Sequence, residues 1–340
     1  MQMQARRKTE HCGLQVQLTK LVLRFKHWGS ILKVVRLATR KSPLALWQAN
    51  HVADLIKAAF PEMKVEILGL STEGDRNRSV SLAKLGGKGV FVKELELALQ
   101  SGEADFAVHS MKDVPAVLPD GLALVAMCER ADPRDALISR RGETLERLPE
   151  GAMVGSSSLR RCLQLAVRYP HLSFDALRGN VETRLKRLDE GAFDAIILAT
   201  AGLERLGLAN RITERITPDD CIPSAGQGAV GLEARADRSE LDEVIQAINH
   251  PLTFSIVNCE RRISERLGAT CDLPVAAFGS LQDPMSASTL TLSSFVSNPE
   301  GTSQLRVTQA APLSEAIALG DRVADELIDQ GALALVNQGS

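Results

Sequence analysis

Apolar positions alternate between two textures from residue 34 onward. Val34-Val35-Arg36-Leu37-Ala38-Thr39-Arg40 and Lys64–Leu70 have the length and composition of strands. Between them, Leu44–Phe60 reads as an amphipathic helix, and Ser42-Pro43 supplies an N-cap and a proline at the first helical position. Strand alternating with helix predicts βαβ units and a mostly parallel sheet. The pattern predicts a further helix over Phe91–Gln100 and strands over Phe106–Val108 and Leu122–Met127. A second series follows: strand Met153–Gly155, a helix opened by Ser156–Arg161, strand Leu172–Leu177, helix Val181–Leu188 and strand Asp194–Ala199. Ala229–Ala234 reads as a strand that returns to the first unit. Helices over Ser239–Asn249, Thr253–Leu267 and Ser314–Gln330, with two or three strands between Pro274 and Thr308, make a small C-terminal α+β unit.

The expected partition is domain 1 over 34–130 with 226–248, domain 2 over 131–225 and domain 3 over 249–340. Residues 1–33 stand apart. Seven basic residues there (Arg6, Arg7, Lys8, Lys20, Arg24, Lys26, Lys33) face one acid, Glu10, and Leu21-Val22-Leu23 is too short for a signal-peptide core. They are expected to be a disordered extension, with organelle targeting as the other reading. Ser71–Gly89 also breaks the pattern, and its length and glycines predict a mobile lid.

Composition narrows the class. The chain has 340 residues, 44% hydrophobic and 24% charged, with a formal net charge of −2. Those values suit a globular protein of two or three domains, with no sign of nucleic-acid or membrane partners. Aromatics are 4%, too few for stacking on bases and too few to dominate the cores. The six cysteines are scattered without a CxxC pair and no HExxH occurs, so no metal site is expected and a reducing, cytoplasmic setting is.

The candidate chemistry lies at strand ends. After Phe106–Val108 come Ser110, Lys112 and Asp113, and Pro115 then bars further strand. Ligands of open α/β sheets bind beyond the carboxyl ends of strands. A carboxylate beside an ammonium suits proton transfer, although a solvated turn with a local ion pair has the same composition. Ser156, Ser157 and Ser158 offer hydroxyls and backbone N–H groups at a helix start, with Arg160 and Arg161 one turn further. Arg178, Gly179, Asn180 and Arg184 surround the next helix start, Arg40 and Ser42 the first, and Lys84 and Lys88 lie on the glycine loop. The repetition predicts an anion-lined cleft between two domains, for carboxylate or phosphate alike. Cys271 sits in a small-residue loop, where it is either a nucleophile or an inert small hydrophobe.

Arg36–Ala49 closely resembles the opening of the porphobilinogen deaminase (hydroxymethylbilane synthase) family. So do Lys84–Glu94, His109–Pro115, Gly155–Arg161, Leu177–Asn180 and Pro223–Gly231, in the family's order. The resemblance implies two domains like those of type II periplasmic binding proteins plus the small third domain. It implies a monomeric transferase of haem biosynthesis that joins porphobilinogen molecules head to tail into hydroxymethylbilane and releases ammonia. It also implies a dipyrromethane cofactor held by a thioether, by position on Cys271, and Asp113 as the catalytic carboxylate. The serines, lysines and arginines at these strand ends and helix starts, with Gly179 and Asn180, would bind cofactor and substrate, and no metal is required. Ala269-Thr270 before Cys271, and Ser156 in place of threonine, depart from the family pattern. A small-anion binding module on the same fold is the rival reading; it predicts no covalent adduct and no need for Asp113.

Overall fold

The computed structural model describes residues 33–72, 92–269, 273–281 and 289–337. Most of the expected extension, the expected lid from Glu73 on, and Cys271 lie outside the described residues.

β1 (Val34–Arg40) and β2 (Lys64–Leu70) pair in parallel along their whole length, from Val34↔Lys64 to Arg40↔Leu70. Between them runs α1 (Pro43–Ala59), capped by Ser42, whose Oγ accepts from the Ala45 amide. Ala49, Val52, Ala53 and Ile56 turn its apolar stripe onto the sheet. β3 (Phe106–Ser110), preceded by α2 (Lys93–Gln100), joins β1 in parallel. β4 (Leu122–Met127) closes the far edge, and β10 (Val230–Arg235) inserts antiparallel between β3 and β4. The order is therefore β2-β1-β3-β10-β4.

The second sheet repeats that plan. β6 (Met153–Gly155), β7 (Ser173–Asp175) and β8 (Ala195–Ala199) run parallel, linked by α3 (Leu159–Arg168) and α4 (Val181–Asp189). β5 (Asp135–Ser139) lies antiparallel between β8 and β9 (Glu214–Ile216), giving β7-β6-β8-β5-β9. Each sheet thus contains one antiparallel strand, β5 or β10, that enters directly from the other sheet. Two mixed α/β sheets of one plan, each entered by a strand from the other, match the two-domain expectation. α5 (Thr200–Arg205) follows β8.

α6 (Asp242–Ile248) and α7 (Pro251–Leu267) lead to the antiparallel meander β11 (Val275–Leu281), β12 (Thr289–Ser297) and β13 (Gln304–Pro312). Together with α8 (Ala316–Asp329) and α9 (Ala332–Asn337) they bury a separate apolar cluster that includes Cys259, Ile263, Leu292 and Leu319. Among the described residues no helix is long and apolar enough to cross a membrane.

Periodicity did not foresee β5, β9, α5 or the short terminal helix α9. β5 lies in a stretch whose arginines, glutamate and glycine disguise the apolar run Ala136-Leu137-Ile138. β9 and α5 are too short, at 3 and 6 residues, to display a period. β7 also shrinks to Ser173–Asp175 from the longer run expected.

The two crossover segments touch. Ala131 N donates to the Gly228 carbonyl, and Gly228 has φ +89°. A Cβ there would lie 2.6 Å from the Ala131 carbonyl oxygen, so only glycine fits. Beside this contact Asp135, fully buried, receives Arg160 Nη2 at 2.8 Å, Arg161 Nε at 2.9 Å and Gln227 Nε2 at 2.9 Å. Burial alone would raise its pKa. The charges of Arg160 and Arg161, with hydrogen bonds from Arg161 and Gln227, outweigh burial and hold the carboxyl well below the usual range.

Replacing Asp135 by Asn leaves two buried guanidinium groups without a counter-charge. Stability should fall by about 3–5 kcal/mol, measured as a lower denaturation midpoint. Because the folded carboxyl titrates below its unfolded value near 3.9, its contribution is complete above that pH and declines as pH falls. The Asn variant should lose that part of the acid dependence. An unchanged midpoint would remove Asp135 from this role.

Candidate active site

Asp113 is held from three directions. It ends a 3₁₀ turn, Met111–Asp113, placed directly after β3. Met111 is buried, and its amide donates to the carbonyl of Ala229, just before β10. Beyond the turn, Arg261 of α7 donates to the carbonyls of Val114, Pro115 and Ala116 at 3.3, 2.7 and 3.1 Å. The helix of the C-terminal unit therefore fixes the loop that follows the aspartate. Val114 is extended, with φ −80° and ψ 128°, as a residue before proline should be.

Asp113 shares a cavity wall with Arg40, Ser42, Gln48, His109 and Ser110. Gln48, buried on α1, donates to Ser110 Oγ at 2.7 Å and fixes that hydroxyl. Ser42 spends its hydroxyl on the helix cap, and Arg40 stands half-buried at the end of β1.

The second sheet offers the opposite wall. Ser156 is buried and its Oγ accepts from the Ser158 amide, while Ser157 Oγ donates to the Leu177 carbonyl at 2.8 Å. Ser158 is the N-cap residue of α3. Asn180 caps α4, its Oδ1 accepting from Thr183 N at 2.8 Å and Thr183 Oγ1 at 2.7 Å. Gly179 has φ +113°, and a Cβ there would strike Thr183 at 2.8 Å. Arg184 Nε donates to the Gly179 carbonyl at 2.7 Å, and Arg178 is exposed on the same turn. Arg160 and Arg161 turn inward onto Asp135, and Arg160 also donates to the Ile222 carbonyl at 2.7 Å.

Electrostatics ties the two walls together. Burial lowers the Lys112 pKa to about 8; Asp113 and Asp135 oppose the shift, and Arg161 and Arg160 reinforce it. Burial, then Arg161 and Arg178, lower the Arg184 pKa to about 10 against the pull of Asp113. Asp113 and Lys112 of the first sheet thus feel Arg160, Arg161 and Arg184 of the second. Two arginines on one carboxylate leave one net positive charge, and Lys112 and Arg184 add to it. A site in which neighbouring cations destabilise one another calls for an anionic ligand, which fits a polycarboxylate such as dipyrromethane.

Lys84, Lys88 and Cys271 lie outside the described residues. α7 ends at Leu267 and is capped by Gly268, φ +60°, three positions before that cysteine. Gln48, Asp135, Gln227 and Arg261 were missed as site-shaping residues. Gln48 sits at a helix position that periodicity assigns to the core, and the others act only through distant partners. The same holds for two buried pairs. Arg130 forks onto Glu260 at 2.6 and 3.1 Å, and His109 Nε2 lies 2.9 Å from Glu233 Oε2.

Burial pushes the thiols of Cys128, Cys221 and Cys259 up to about 11, 12 and 12, and raises that of Cys162 as well. Thiols that keep their protons are poor nucleophiles. Iodoacetamide at neutral pH should leave Cys128, Cys221 and Cys259 unmodified in the native protein and alkylate them after unfolding. Peptide mass mapping checks this; rapid native labelling of any of the three would contradict it.

Residues 35–243 match the family model described as porphobilinogen deaminase, dipyromethane cofactor binding domain, and residues 254–329 match its C-terminal domain. A porphobilinogen deaminase of Chromobacterium violaceum is 52% identical over 300 residues, which covers 88% of this chain and 96% of that protein. Its namesakes from Laribacter hongkongensis and Neisseria meningitidis serogroup A are each 50% identical, over 301 and 304 residues, covering 88% and 89% of this chain and 96% of each relative. With both family domains in order and half the residues shared along nearly the whole relative, the chain belongs to the porphobilinogen deaminase family.

Proposed function

We propose that this protein joins four porphobilinogen molecules head to tail into hydroxymethylbilane, releasing ammonia at each addition. Cys271 is the attachment point of the dipyrromethane cofactor, which when bound supplies the pyrrole carbon from which the chain grows. The observation that carries the reading is Asp113, a carboxylate on a backbone-anchored turn in a cleft whose other charged neighbours, Lys112 and Arg184, are cations.

Each pyrrole brings an acetate and a propionate, so every addition increases the negative charge to be held. Arginine meets that demand without deprotonating. Arg160, Arg161 and the serines of the α3 start hold the first carboxylates, while Arg40, Arg178 and Arg184, with Lys84, Lys88 and Lys112, receive later rings. Gly179 and Asn180 keep Arg184 in place. In each step the C–N bond of the aminomethyl group breaks and its electron pair leaves with nitrogen. A new C–C bond forms to the terminal ring, and that ring's α-proton is lost. Asp113 hydrogen-bonds the pyrrole N–H and stabilises the positive charge that develops as ammonia departs. It also serves as the proton relay to the leaving amine.

The same reading assigns 34–130 with 226–248 to the domain of the aspartate, 131–225 to the domain of the arginines and 249–340 to the domain of Cys271. It takes the protein as a cytoplasmic monomer; the cytoplasmic part is supported by six scattered cysteines without a CxxC pair.

Intact mass spectrometry tests the assignment directly. The purified protein should exceed its sequence mass by one dipyrromethane. Cys271→Ser should lose that mass and the activity, while Cys259→Ser keeps the adduct. Loss of the adduct from the Cys259 variant, or its persistence in the Cys271 variant, would reject the assignment. Asp113→Asn should retain the adduct yet turn over roughly 10²–10³-fold more slowly, as when one preorganised electrostatic group is removed. Near-normal turnover in that variant would exclude the central role of Asp113.

A further inference from the structure

Trp47 lies on α1, stacked on His51 with ring centroids 5.2 Å apart and planes at 14°. Arg205, the last residue of α5, places its guanidinium carbon 5.5 Å from the Trp47 ring centroid. The same guanidinium donates to the Gly228 carbonyl at 2.7 Å. One side chain therefore touches a helix of the first sheet and the crossover, while its own helix follows β8 of the second. The two helices already meet nearby, since a Cβ on Gly202 would be in ordinary contact with Leu44, 3.6 Å away. α1 also carries Gln48, which fixes Ser110 in the cleft.

We propose that Arg205, Trp47 and His51 form an interdomain clamp that sets the cleft width and opens when His51 is protonated. The clamp acts on the walls bearing Asp113 and Arg184, so its bearing on catalysis rests on the proposed function; the clamp itself does not.

The contact is dry on its Arg205 side, although Trp47 is 37% exposed. Burial lowers the Arg205 pKa, with Cys128 and Glu204 opposing, and a desolvated cation on an indole face gains more than an exposed one. His51 is the sensitive part. Burial, then the charge of Arg205, lower its pKa below 6.5, and Asp54 on the next turn opposes them. A proton on His51 would place a second cation against the indole that Arg205 already covers. The closed state takes up that proton less readily than the open one. The clamp is thus fully favoured above pH 6.5 and loses ground as pH falls through the lowered value.

Hydrogen exchange of the full chain with its cofactor, read on peptides spanning 222–229 and corrected for intrinsic rates, tests the clamp. Arg205→Gln and Trp47→Leu should each speed exchange there by about tenfold at pH 7.5, the scale of one partly desolvated cation–π contact. The double variant should be no faster than either single one, and Trp47→Phe should retain most of the protection. Wild type should lose comparable protection at pH 5, whereas His51→Gln should not. The clamp is overturned if Arg205→Gln exchanges as slowly as wild type. It is equally overturned if wild type is as protected at pH 5 as at 7.5, or if His51→Gln opens at pH 5 as wild type does. The expected exchange pattern in a protein lacking the pyrrole mass would uphold the clamp and reject the deaminase reading.

Discussion

A single buried carboxylate, Asp135, makes the architecture electrostatically possible. Arg160 and Arg161 are both almost fully buried, and two guanidinium groups side by side in a low-dielectric interior would repel one another strongly. Asp135 neutralises one charge and bonds to both. Gln227 completes the set by donating to Asp135 and to the Pro133 carbonyl. Those residues come from the start of β5, the start of α3 and the crossover before β10. The ion cluster therefore joins the second sheet to the crossover where the chain leaves it for the first.

The residual positive charge of that cluster reaches into the cleft. Lys112 and Arg184 titrate below their ordinary values partly because Arg161 stands behind each of them. An anionic ligand relieves this mutual repulsion, so the energy of assembling the cations reappears as affinity for carboxylates. In these surroundings the turn that carries Asp113 is anchored on both sides. The Arg261 bonds to three successive carbonyls and the buried Met111 leave its turn little freedom. Preorganised charge is more effective in catalysis than charge that must first be oriented.

The C-terminal unit takes part in this arrangement through α7. Its Glu260 binds Arg130 from the first crossover and accepts from Gly226 N in the second at 2.7 Å. Arg130 donates in turn to the Gln227 carbonyl at 2.9 Å. The helix that leads toward Cys271 is thus bonded to both crossover segments and, through Arg261, to the loop behind Asp113.

Much was legible in the chain alone. Alternating periods predicted the βαβ units because strand and helix burial leave different spacings in sequence. Ser42-Pro43 marked the start of α1 through local capping chemistry, and the motifs around Asp113 and Arg160 pointed to the family. The short elements β9 and α5, with 3 and 6 residues, gave too little pattern to declare a period, and the charged neighbours of β5 disguised its apolar run. The inward turn of Arg160 and Arg161 escaped for a different reason. Their partner Asp135 is 25 and 26 residues away, and Gln227 lies 66 from Arg161. Arg205 meets Trp47 and Gly228 only once both sheets are built. Local sequence determines period, cap and turn, because those depend on neighbours a few residues apart. Which charges are buried, paired or left facing a ligand depends on contacts between distant segments, and only the tertiary structure decides them.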